Sequence, residues 1–65
     1  MRIMRSKQPG IFLETPERYL VIQDEEIVAV WPNDPAGRNA VAVAIYLGVE
    51  KGHETYARQV VAHAA

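Results

Sequence analysis

Apolar residues fall in short runs over the first half of the chain and in longer, alanine-rich runs over the second. Ile11-Phe12-Leu13, Tyr19-Leu20-Val21-Ile22 and Ile27-Val28-Ala29-Val30-Trp31 are rich in the β-branched and aromatic residues that suit a pleated sheet. Pro9-Gly10 marks a turn before the first run, Thr15-Pro16 closes it, Asp24-Glu25-Glu26 divides the second from the third, and Pro32 stops the third. The last two runs read as a β-hairpin. Its link lacks the Asn-Gly or Asp-Gly of a two-residue primed turn, so a longer loop is expected.

Alternation along these strands is unusual. Tyr19 and Val21 point one way, Leu20 and Ile22 the other; Ile27, Ala29 and Trp31 share one face, Val28 and Val30 the opposite. A sheet with one wet face places polar residues at every second position. Here both faces are apolar, so both need a cover.

Asn33-Asp34-Pro35 is a helix-start signal, with Asp34 as the cap and Pro35 at the first helical position, where its missing N–H costs nothing. The alanine-rich stretch that follows favours a helix ending at Leu47-Gly48. Its face Ala36, Ala40, Val43, Ala44, Leu47 and its stripe Val41, Ile45, Val49 wrap most of the cylinder, which predicts a largely buried helix. Residues 40–47 also alternate in strand fashion, and that competing reading stays open. Val49-Glu50-Lys51-Gly52 reads as a loop. Residues 54–64 read as an amphipathic helix with Tyr56, Ala57, Val60, Val61 and Ala64 on its apolar face. The expectation is therefore an α+β fold: a small antiparallel sheet of two or three strands over about residues 11–31, then helices at about 35–48 and 54–64. Residues 1–8 form a basic arm or a short strand at Ile3-Met4.

With 65 residues there is room for one domain. A domain of this size buries only about 60% of the surface its unfolded chain exposes. Small scaffolds add disulfides, a metal or a partner subunit. No cysteine is present, and only His53 and His63 offer imidazole, so disulfides and a four-ligand zinc site are set aside and a homo-oligomer is expected. No apolar run reaches the roughly 18 residues of a membrane span, and the basic start lacks the apolar region of a secretory signal, so a cytoplasmic protein is expected.

The net charge of −1 hides an uneven distribution. Arg2, Arg5 and Lys7 make the first ten residues +3. Glu14, Glu17, Asp24, Glu25, Glu26 and Asp34 against Arg18 make the strand region −5. An acidic hairpin of this kind either blunts a sheet edge against aggregation or presents a negative surface to a basic partner. Trp31 and Tyr19, at strand ends, suit either a core or an interface anchor. Asp24, Glu25, Glu26 and Trp31 are thus the candidate partner-binding residues. Arg38 and Asn39, beside a helix N-terminus, are candidate anion-binding residues for a phosphate or nucleotide, although Asp34 already fills the cap.

Catalytic chemistry finds little to build on. A zinc-protease helix would need histidine where Ala57 stands, four residues after His53. Ser6 lies in the arm, and Thr15 and Thr55 suit a turn and a cap. Glu25 and Glu26 are strand neighbours pointing to opposite faces, so they cannot converge on one atom. No enzyme activity and no cofactor are expected.

From Ile27 to Ala64 the order strand, helix, helix resembles the ribbon-helix-helix repressors. Leu47-Gly48 followed by Glu54-Thr55-Tyr56-Ala57-Arg58-Gln59-Val60 is similar to their inter-helix turn and second helix. The resemblance implies a dimer whose paired strands enter the DNA major groove. The chain departs from that pattern in having a hairpin before the strand, and in a strand that is apolar and acidic where phosphate binding needs positive charge. In size, acidity and lack of catalytic groups the chain also resembles phage-encoded inhibitors of host defence, such as anti-CRISPR proteins. The reading these features favour is a non-enzymatic protein that regulates or inhibits a larger partner, for instance a nucleic-acid-binding complex. A DNA-binding regulator and a nucleotide-binding module are the alternatives.

Overall fold

The computed structural model describes residues 1–64; the side chain of Ala64 lies outside the described set, and with it the sequence assignment of that residue to a helix face. Four strands come first: β1 (Arg2–Met4), β2 (Ile11–Glu14), β3 (Arg18–Gln23) and β4 (Glu26–Pro32). Two helices follow: α1 (Pro35–Leu47) and α2 (Val49–Ala64). The sheet is an antiparallel meander in the order β1-β2-β3-β4. The α+β class expected from the sequence is the one observed, with four strands in place of two or three.

The additional strand comes from the N-terminal arm. Ile3 pairs with Leu13 and Met4 with Phe12, while Arg2 forms a 2.8 Å ion pair with Glu14 directly across from it. The segment after β1 is tied to the end of α1. The Ser6 hydroxyl donates to the Ile45 carbonyl (3.4 Å), the Gln8 amide side chain donates to the Tyr46 carbonyl (3.2 Å), and the Gln8 N–H donates to Ser6 Oγ (2.9 Å). These carbonyls belong to the last turn of a helix, where no intrahelical partner exists. Ser6 is therefore a fastening for α1.

The two tighter hairpins have different chemistry. Between β2 and β3, the Thr15 hydroxyl accepts from the Arg18 N–H (3.0 Å) and donates to the Arg18 carbonyl (2.8 Å), and Asn33 braces the same turn by donating to the Thr15 carbonyl (2.7 Å). Between β3 and β4 the chain turns in two residues. Gln23 pairs with Glu26, and both Asp24 (φ 50°) and Glu25 (φ 65°) are left-handed. The expected longer loop is thus a primed two-residue turn, made without glycine because Asp tolerates the left-handed region and Glu25 accepts its strain.

A register shift between Val21 and Ile22 also breaks the strict alternation of β4. Val21 opposes Ala29, while Ile22 opposes Ile27. Val28 is the extra residue of a bulge, and Ile27 moves to the side of Leu20 and Ile22, away from Ala29 and Trp31.

Asp34 caps α1 as expected, accepting from the Gly37 N–H at 2.7 Å. Residues 40–47 are helical, which resolves the competing strand reading. Ala40, Val41 and Ala44 pack with Phe12, Tyr19, Val21, Ala29 and Trp31 to form the core. The expected loop Val49–Gly52 is the first turn of α2, so the second helix starts five residues before the predicted Glu54 and only Gly48 separates the helices. Gly48 (φ 107°) sustains that sharp joint. Gly52, expected in that loop, is a contact residue: a Cβ there would lie 2.6 Å from the Ala40 carbonyl and 2.8 Å from Ala44 Cβ. Its absent side chain lets α2 press against α1.

Candidate binding surface

The two faces of the sheet differ sharply. One carries Phe12, Tyr19, Val21, Ala29 and Trp31, all buried beneath α1 and α2. The other is open. Register aligns Ile3, Leu13, Leu20 and Val30 in one row across all four strands, and Ile11, Ile22 and Ile27 in a second row across three. Ile3 is 73% exposed, Ile27 61%, Ile11 47%, Val30 46% and Val28 40%. Leu13, Leu20 and Ile22 are half-buried by their neighbours. No charged side chain interrupts the rows. Charge sits at their ends, with Arg18 and Glu17 at one and Asp24, Glu25 and Glu26 at the other. The sequence pattern of β3 and β4 pointed to an apolar second face. The row's extension onto β1 realises the short strand at Ile3-Met4 that the sequence left as one of two readings, and its register with Leu13 is what places Ile3 on this face.

The acidic residues sit together at the β3–β4 tip, all exposed, and none forms an ion pair among the described residues. Trp31 is elsewhere. It is fully buried, so it is core and cannot serve as a partner-binding anchor on this chain. Its indole lies beneath His53, with ring centroids 4.9 Å apart and planes tilted by 38°. The indole Nε1 is buried without a hydrogen-bond partner among the described residues. Burial of this aromatic follows from strand parity with Ala29 and Tyr19, since Tyr19 and Trp31 are direct cross-strand partners.

The candidate anion site at the start of α1 is not assembled. Arg38 turns toward Asn33, donating to its side-chain oxygen at 3.4 Å, while Asn39 is exposed. Arg38 instead joins a different group. With Arg2, Arg5, Glu14, Tyr19 and Tyr46 it lines an open groove of about 360 Å³ between the β1–β2 edge and α1. The Tyr19 hydroxyl donates to Glu14 Oε2 there (3.3 Å). Burial, reinforced by the Glu14 carboxylate, holds the Tyr19 phenol above its ordinary pKa, and the Arg38 guanidinium opposes that shift. This gathering of arginines from the start and the middle of the sequence depends on the docking of β1 against β2, a long-range pairing that local pattern does not specify.

Among the described residues, no group of three or more His, Cys, Asp or Glu side chains is placed to hold a metal ion. No helix is long and apolar enough to cross a membrane. No family model matches the chain, and no curated protein or solved structure matches it. The reading of the surface therefore rests on its own geometry and chemistry.

Proposed function

We propose that the chain is a non-enzymatic binding protein that regulates or inhibits a larger partner, and that the acidic β3–β4 tip is the part that meets a basic surface of that partner. The observation that carries this reading is the turn itself. Asp24 and Glu25 both occupy left-handed backbone, where glycine or asparagine is the favoured residue, and both carboxylates stand free of neutralising neighbours among the described residues. Strain held at an exposed charged tip is a recurring mark of residues kept for contact. Exposed carboxylates steer a cationic partner toward the tip over distances of about a Debye length, roughly 8 Å at physiological salt.

Replacing Asp24, Glu25 and Glu26 together with Asn, Gln and Gln tests this. Affinity for a Lys/Arg-rich probe peptide is expected to fall by about tenfold at physiological salt, as expected for the loss of several exposed charge contacts. Unchanged affinity, measured by calorimetry on a variant with wild-type circular dichroism, would reject the tip as the contact.

The groove lined by Arg2, Arg5 and Arg38 favours a second reading, contact with nucleic-acid phosphates. The discriminating experiment is a low-salt mobility shift with Arg5→Ala and Arg38→Ala. Deleting the N-terminal segment would be uninformative because it removes β1. A shift in the parent chain that the double variant loses supports this reading, and no shift in the parent removes it.

A further inference from the structure

We propose that the open sheet face is the seat of a second copy of this chain, the two sheets packing face to face with their strands reversed, so that the acidic tip of each copy lies against Arg18 of the other.

Nothing else in the described chain is placed to cover this face. Both helices pack on the opposite side, and the N-terminal segment is used in β1 and at the end of α1. The face has the composition of a permanent interface, with an apolar centre and charge confined to the rim. The exposed parts of Ile3, Ile11, Leu13, Leu20, Ile22, Ile27, Val28 and Val30 come to on the order of 600 Å², the upper limit of the largest apolar patch on a monomer. Two such faces together bury roughly 1,200 Å², the lower end of a specific interface. A partner that came and went would leave that surface in water whenever it was absent. A second copy keeps it covered and supplies a face of the same twist and dimensions, suited to aligned sheet packing about 10 Å apart.

Charge selects the orientation. In a face-to-face pair the two-fold axis lies between the sheets. Were it to run along the strands at the β3–β4 hairpin, the Asp24–Glu26 tips would meet at one end and repel. An axis across the strands lays β3 over its counterpart in the reverse direction. Arg18 opens β3 with the same parity as Leu20 and Ile22, and the tip closes it, so each tip then meets the partner's guanidinium. The ion pair that Arg18 makes within the chain, to Glu17, is long at 3.7 Å and exposed, leaving the guanidinium free to turn. Asp24, Glu25 and Glu26 outnumber that guanidinium, so the tips stay acidic and the pairing is compatible with the contact proposed above without resting on it.

Light scattering on the size-separated wild-type chain at about 100 μM is expected to give twice the monomer mass of 7.3 kDa. Val30→Glu places a charge on an exposed position at the middle of the face. It is expected to weaken the pair by about a hundredfold with circular dichroism retained. Arg18→Glu is expected to weaken it by about tenfold at low salt, with recovery when Glu25→Arg is added at the tip. The charge reversal also reads the interface if Val30→Glu fails to fold. A wild-type monomer at this concentration overturns the proposal, as does a dimer indifferent to Val30→Glu, which would be using β4's free edge or α2. Absence of recovery in the double variant overturns the reversed orientation. Either failure leaves the tip reading intact, because that is measured by neutralising Asp24, Glu25 and Glu26 in whatever assembly exists.

Discussion

Single residues in this chain hold conformations that their types do not favour. Glu25 sits at φ 65° in a two-residue turn, where a Cβ costs about 1 kcal/mol. Glu25→Gly removes that strain and gives back part of the gain through the freer unfolded chain. The expected net effect is stabilisation by about 0.5 kcal/mol, seen as a higher urea midpoint with unchanged slope. Destabilisation would mean that the Glu25 side chain makes a contact worth more than the strain. Tyr19 illustrates the converse, a polar group held inside by its neighbours. Its phenol is raised from 10.0 by burial and by Glu14, so the unfolded chain loses this proton first as pH rises. The folded state then binds more protons than the unfolded one, and stability falls as pH climbs from about 10 through the folded-state value. Tyr19→Phe is expected to cost about 1 kcal/mol at pH 7 through the lost bond to Glu14, and to flatten the alkaline decline. Equal slopes in the two proteins between pH 9.5 and about 11 would assign the decline to other groups. Neither feature was legible beforehand. Asp24-Glu25 does not spell a primed turn, and the pairing of Tyr19 with Glu14 depends on strand register.

Elements were legible where their signals were local. The runs 11–13, 19–22 and 27–31 became β2, β3 and β4, and Asp34-Pro35 set the start of α1. Two signals were weaker. Ile3-Met4 suggests a short strand but is too short to decide between strand and arm, and β1 exists because Leu13 and Phe12 offer it an edge and Glu14 offers Arg2 a charge. Val49-Glu50-Lys51-Gly52 reads as a loop by composition, yet Gly52 is a helical residue whose missing Cβ leaves room that α1 fills. Gly52→Ala separates these meanings by sign. Helix propensity alone would make alanine stabilising by about 1 kcal/mol. The added methyl would instead meet the Ala40 carbonyl at 2.6 Å, Ala44 Cβ at 2.8 Å and Trp31 Cζ2 at 3.2 Å. Overpacking of this kind against backbone costs about 1–3 kcal/mol, so the substitution is expected to lower the melting temperature and to loosen α2 over Trp31. Quenching of Trp31 fluorescence by acrylamide, negligible in the parent, should rise with it. A more stable Gly52→Ala protein would show that the helices can part without cost.

At the scale of the whole molecule, the core is thin and one face is unfinished. The buried apolar cluster contains three alanine side chains among its members, Ala29, Ala40 and Ala44, which bring helix and sheet close while adding little buried area. The sequence disclosed the two-sided apolar pattern of β3 and β4, and the fold shows why it matters: the helices cover the Phe12 side and leave the Leu20 side open. A second copy on that side would contribute a large share of the stability, so folding and pairing would be linked by mass action. For a two-state transition from folded dimer to unfolded chains, each tenfold rise in protein concentration adds about 1.4 kcal/mol to the stability of the pair. Spread over an unfolding entropy of roughly 2.1 cal/mol/K per residue in two chains, this raises the melting temperature by about 5 °C. Scanning calorimetry from about 10 to 1,000 μM spans two such steps and should move the transition by about 10 °C. Val30→Glu should both lower the transition and remove its dependence on concentration. A wild-type transition that stays fixed across that range would mean that this small core closes on its own and the open face contributes nothing to folding.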